Sequence, residues 1–147
     1  FTATTGTGVD LGSYVSRVPM AWISVPVSGF YTFKNHYHVT KHHKNKKTGK
    51  KLTLSEIFSY GDPTNERFLE NVTLEELSDI EIDEFLLEVL DSLENKGIKS
   101  DEENLLNLKF WENYKRLIKI NNLNHLHKNY DAIFSPNFLK KNPELLN

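Results

Sequence analysis

The chain has 147 residues, 38% of them hydrophobic and 12% aromatic, which is the length and composition of one folded domain with a core of its own. No run approaches the eighteen or so apolar residues of a membrane helix, and the absence of cysteine excludes disulfides, thiolate metal ligands and a cysteine nucleophile. The net charge of −2 conceals a segregation: residues 1–51 carry +7, residues 52–104 carry −13 and residues 105–147 carry +4. Such blocks imply either a dipolar surface or two parts of the fold that pair with one another.

Because the chain begins with Phe1 rather than Met, it reads as a processed product or a piece of a longer polypeptide, one secreted or delivered into a target cell. Residues 1–13, small, polar and punctuated by glycine, read as a flexible lead-in. Residues 14–27 are apolar and rich in β-branched side chains, but Pro19 and Pro26 interrupt them. This predicts a short edge strand over residues 21–25, with Trp22 and Ile23 in the core. Arg17 is the only cation in this part and a candidate phosphate contact.

Residues 31–40 alternate. Tyr31, Phe33, Asn35, Tyr37 and Val39 take one parity, and Thr32, Lys34, His36, His38 and Thr40 the other. A period of two with aromatic and β-branched residues on one parity is a half-buried strand. The first set then faces a core, and the second stands as a Lys-His-His-Thr row on an open face. The run from Lys44 to Gly49 reads as a turn into a second strand or a short link, with Lys50 and Lys51 behind it.

The remainder, residues 53–147, reads as helical. Thr53 or Ser55 caps a short helix over residues 54–60, and Pro63 suits the first turn of another reaching Val72. Thr73-Leu74-Glu75-Glu76 has the form of a capping box ahead of an apolar stripe of Ile80, Ile82, Phe85, Leu86, Val89, Leu90 and Leu93. A break near Ser78 and Asp79 could divide that segment, and Gly97 is placed to end it. Ser100 and Glu103 repeat the capping box before a second stripe of Leu105, Leu106, Leu108, Trp111, Tyr114, Leu117 and Ile118. The two segments, residues 81–96 and 101–119, predict helices packed antiparallel. Residues 135–147 read as a last short helix docking Phe138, Leu139 and Leu145. Together these readings give a single α+β domain: a small, mainly antiparallel sheet over residues 14–52, packed against a helical C-terminal part.

The six histidines fall in two clusters, at 36, 38, 42 and 43 and at 125 and 127, both inside the net-basic blocks. Cleavage of RNA without a metal needs a base for the 2′-hydroxyl, an acid for the leaving oxygen and a cation for the phosphorane. Lys34, His36 and His38, joined by His125 or His127, have the composition for all three. The division of acid and base between the imidazoles is not fixed by the sequence. Lys44, Lys46, Lys47, Lys50 and Lys51, with Arg17, would hold the phosphate backbone. This chemistry requires no metal or cofactor. A His-x-His pair on a strand could instead ligate a metal, since residues i and i+2 point the same way. The same row could also be a solvated edge face, and the acidic residues 75–103 a docking surface of a non-catalytic, immunity-type binding protein.

Through Lys34-Asn35-His36-Tyr37-His38 and the basic turn behind it, the chain resembles the toxic C-terminal nuclease domains of bacterial polymorphic and contact-dependent secretion systems. That resemblance covers about a quarter of the chain. It implies a His/Lys active site on a small sheet, RNA as substrate, and a cognate inhibitor as a protein partner. The strand is superficially similar to HNH-type toxins as well, but the asparagine and final histidine of that pattern are not at matching spacing.

Overall fold

The structure, a computed structural model, describes residues 1–5, 11–29, 36–95, 100–123 and 132–147. In chain order it contains β1 (Thr2–Thr4), α1 (Leu11–Val15), β2 (Met20–Trp22), a 3-10 helix (Val27–Gly29), β3 (His36–His38) and β4 (His42–Asn45). Then follow α2 (Leu54–Ser59), α3 (Glu66–Asn71), β5 (Val72–Glu75), α4 (Asp79–Glu94), α5 (Asp101–Ile120), β6 (Ile133–Phe134), α6 (Pro136–Lys141) and a 3-10 helix at Pro143–Leu146. The α+β class is as expected. The main sheet is not antiparallel: among the described residues its four strands, in the order β1-β2-β3-β6, all run parallel, and the small β4–β5 sheet is antiparallel.

The connections explain the difference. Antiparallel neighbours are joined by short hairpins, whereas parallel ones need a crossover of about a dozen residues. Residues 5–19 separate β1 from β2, and residues 23–35 separate β2 from β3. Thr2–Thr4, read as part of a flexible lead-in, is therefore the edge strand. Its Thr2 amide donates to Pro19 O at 3.0 Å, and its hydroxyl lies 2.7 Å from Ser13 Oγ.

The sheet is two-faced. Ala21, Ile23, Tyr37 and Val39 belong to the hydrophobic core, and the Tyr37 hydroxyl lies 3.1 Å from Ser92 Oγ of α4. Met20, Trp22, His36 and His38 are buried but stand outside that core. The predicted alternation is thus present from His36 to Val39, residues 31–35 of the predicted strand lying outside the described residues, whereas the predicted open face is not. A parallel sheet covers both of its faces, and His38 is fully buried.

Among the described residues three helices carry complete capping boxes, Thr53 with Glu56, Ser78 with Glu81, and Ser100 with Glu103. Thr73 and Glu76 form none, because Val72–Glu75 is drawn into β5 by pairing with β4, Leu74 opposite His43. Likewise α3 starts at Glu66, capped by the Asn65 side chain, rather than at Pro63. Helices α4 and α5 agree with the predicted segments. Their leucines do not form one antiparallel seam, however: Ile80, Leu90, Leu105 and Leu108 are exposed. The reason is that α4 packs on α6, while α5 packs on α2, β6, α6 and the C-terminal 3-10 helix. The expected end of α4 at Gly97 lies outside the described residues. Phe138, Leu139 and Leu145 dock as predicted. Among the described residues, no helix is long and apolar enough to cross a membrane.

The acidic middle of the chain meets the basic parts inside the fold. Glu75 pairs with Lys44 at 2.5 Å, Glu76 with Lys41, Glu81 with His42 at 2.8 Å, Glu84 with Lys141 at 2.5 Å and Glu102 with Lys140 at 3.0 Å. Burial opposes the charge of Glu81, but hydrogen bonds from Ser78 and His42 outweigh it and hold the carboxyl below the usual carboxylate range. Glu81→Ala removes half of a capping box and the His42 contact together, so it is expected to cost about 1 kcal/mol. Thermal melts at pH 7 check this; a docking role for Glu81 alone would leave the melting temperature unchanged.

Candidate functional site

The polar groups outside the core gather around Trp22. In the ladder, Met20 lies opposite His36 and Trp22 opposite His38, so all four side chains share one sheet face. The Trp22 indole stacks on the His38 ring, with centroids 6.1 Å apart and planes 4° from parallel. Its Nε1 donates to His36 Nδ1 at 2.9 Å. The Tyr14 ring stands edge-on to His36 with centroids 6.3 Å apart. An indole N–H only donates, so Nδ1 of His36 accepts and the neutral ring carries its proton on Nε2.

Both imidazoles are kept uncharged. Desolvation lowers the His36 pKa, and desolvation, followed by the repulsion a protonated His36 would exert, lowers that of His38 to about 3. His38 therefore does not titrate near neutral pH, and its stack on Trp22 makes it a support for that ring. With Nδ1 of His36 held by Trp22, and no group of three His, Asp or Glu side chains among the described residues that could hold a metal, the His-x-His pair gains no ligand set there.

Lys34, His125 and His127 lie outside the described residues. Two relations to described positions stand in the sequence: Lys34 is two residues before His36, and His127 is six residues before Ile133. Strands β3 and β6 are parallel neighbours, so the chain enters both at the edge that carries His36. Arg17 is exposed at φ 55°, with its amide donating to Tyr14 O at 3.1 Å.

The lysine run forms the predicted turn. Asn45 Oδ1 accepts from the amides of Lys47 and Thr48, both at 3.0 Å, and Gly49 takes φ +68°, where a Cβ would be strained. The five lysines are not equivalent. Lys44 is held by Glu75, and Lys51 by Asn142 at 2.6 Å and Glu144 at 3.6 Å. Lys46 Nζ donates to Leu69 O at 3.3 Å. Lys47 and Lys50 are exposed and, among the described residues, have no acidic partner. They are the two best placed to meet an external anion.

Trp22 and Tyr14 are the members that sequence reasoning did not select. The signal was present: Met20-Ala21-Trp22 repeats the spacing of His36-Tyr37-His38, so two adjacent strands can stack on one face. Comparison with protein-family models, curated proteins and solved structures finds no match to this chain.

Proposed function

We propose that the protein is a metal-independent ribonuclease whose reaction centre lies at the edge of the parallel sheet that carries His36. One observation supports this above the others. His36 stands on the sheet face outside the hydrophobic core, at the edge where the chain enters both β3 and β6, with its tautomer fixed by Trp22. In this reading Nε2–H of His36 donates a hydrogen bond to a non-bridging phosphoryl oxygen. Lys34 adds a charge to the same oxygen. One of His125 and His127 takes the 2′-hydroxyl proton as O2′ attacks phosphorus. The other gives a proton to O5′ as the P–O5′ bond breaks, leaving a 2′,3′-cyclic phosphate and a free 5′-hydroxyl. Lys47 and Lys50 hold the flanking backbone.

The roles separate by mutation. Loss of one preorganised donor costs on the order of 10²–10³ in rate, so His36→Ala is expected to fall by that factor. His125→Ala and His127→Ala should each lose about 10²–10⁴. His38→Phe keeps the stack on Trp22 and should retain most of the rate. Lys47→Ala and Lys50→Ala should weaken RNA binding and flatten its salt dependence. The assay is cleavage of total RNA in EDTA, read on gels and by sequencing of the ends. An RNA pool without new ends at stoichiometric protein, or full activity in His36→Ala, would sink the proposal.

A further inference from the structure

The opposite edge of the parallel sheet carries a second feature, independent of the ribonuclease reading. A cleft of about 480 Å³ opens between the ends of β1 and β2 and the β4–β5 sheet, lined by Thr5, Ser24, Val25, Lys41, Leu74 and Glu76, with Pro26 beside Val25. Its volume falls within the range of small-molecule sites, and its position, beyond the C-terminal ends of parallel strands, is where open α/β sheets hold ligands. Ile23 still pairs with the sheet, its amide donating to Thr4 O at 2.7 Å, and the next residue, Ser24, turns the chain at φ +57°. Glycine would take that conformation without strain, yet a buried serine occupies it and lines the cleft.

We infer that this cleft binds a small organic anion, with Lys41 and the Ser24 and Thr5 hydroxyls around the charged group and Val25, Pro26 and Leu74 against an apolar body. Among the described residues Lys41 is the one cation that lines it, and its ammonium is bonded to Glu76. The Glu76 side chain is 67% exposed, so water can solvate the carboxylate when an entering anion takes Lys41 from it. Glu76 thus acts as a resident competitor. Removing it has the opposite sign from removing Lys41.

The test titrates the full chain with phenyl phosphate, benzoate and uncharged benzyl alcohol, following backbone amide shifts by NMR. Saturable shifts at Thr5, Ser24 and Leu74 are expected with at least one anion, and weaker ones with benzyl alcohol. A response to phenyl phosphate alone assigns a phosphate ligand, and one to benzoate alone a carboxylate. Lys41→Met should weaken binding on the order of tenfold, as expected for one charge-assisted bond. Glu76→Gln, at an exposed side chain, should tighten it about two- to fivefold. No saturable shift with either anion, an equal response to benzyl alcohol, or affinity unchanged in Glu76→Gln would each overturn the site. A ribonuclease acting at His36 would lose nothing in Lys41→Met, so this test and the RNA cleavage assay fail separately.

Discussion

Lowering the pH from 7 to about 4.5 is expected to unfold the protein, through two buried imidazoles. His38 and His43 are at least nine-tenths buried, and desolvation lowers their pKa values to about 3 and about 4, from the usual 6.5. For His43 a hydrogen bond to Lys41 O at 2.9 Å works the other way but does not outweigh burial. As pH falls below 6.5 the unfolded chain takes up two protons that the folded chain refuses. Stability present above 6.5 is therefore lost on acidification, and the loss is complete near pH 3 to 4. At pH 4.5 each group lies two units below its unfolded value, which together costs on the order of 5 kcal/mol. That compares with a total of about 5–15 kcal/mol for a typical domain. Circular dichroism against pH should show a transition centred between pH 4 and 5. His38→Gln combined with His43→Gln should move it lower. A wild-type midpoint below pH 3, unmoved in the double variant, would contradict the argument.

Phe134→Ala is expected to cost about 3–5 kcal/mol, enough to threaten the fold. The ring is fully buried, stacked on Phe110 with centroids 4.1 Å apart and edge-on to Phe138 at 6.2 Å. It joins the sheet to α5 and α6 at once, so no neighbour can collapse into the space without leaving another contact. Its backbone is held separately, because Asn107 accepts from the Phe134 amide and donates to its carbonyl, both at 2.9 Å. The Asn107 side chain thus occupies the free side of β6 as a further strand would. Asn107→Ala removes the side-chain amide that bonds both of these backbone groups and should cost about 1–3 kcal/mol. Urea denaturation of the two single variants and the double variant measures both. A Phe134→Ala loss under 1.5 kcal/mol would show that the space refills.

What the sequence made legible was local. The Thr53 cap and the Ser100 capping box need only residues within one turn, and both are present. The Thr73 box has the same spelling and fails, because β4, some thirty residues earlier, claims those residues for a strand. The direction of the main sheet was readable in the connection lengths, more than in the alternation, which is common to both kinds of strand. For the site, the parity of His36 and His38 was visible, while the cover over that face was not. That cover includes Trp22, which the sequence treats as an ordinary core residue. The pairing of Lys44 and Lys51 with carboxylates and an amide was hidden for the same reason: partners distant in the chain leave no local trace.

The neighbours β3 and β6 carry a consequence for how the chain acquires this shape. Tyr37 pairs with Ile133, and nearly all of the helical chain lies between them. Each main helix carries its own start signal and can form within microseconds from nearby contacts. The fourth strand cannot join until that whole length has condensed, since closing so long a loop forfeits entropy before any ladder bond repays it. Synthesis in the N-to-C direction therefore leaves the side of β3 without its partner until Ile133 and Phe134 emerge. During that interval the free side of β3 beside His38 is open to pairing with another chain.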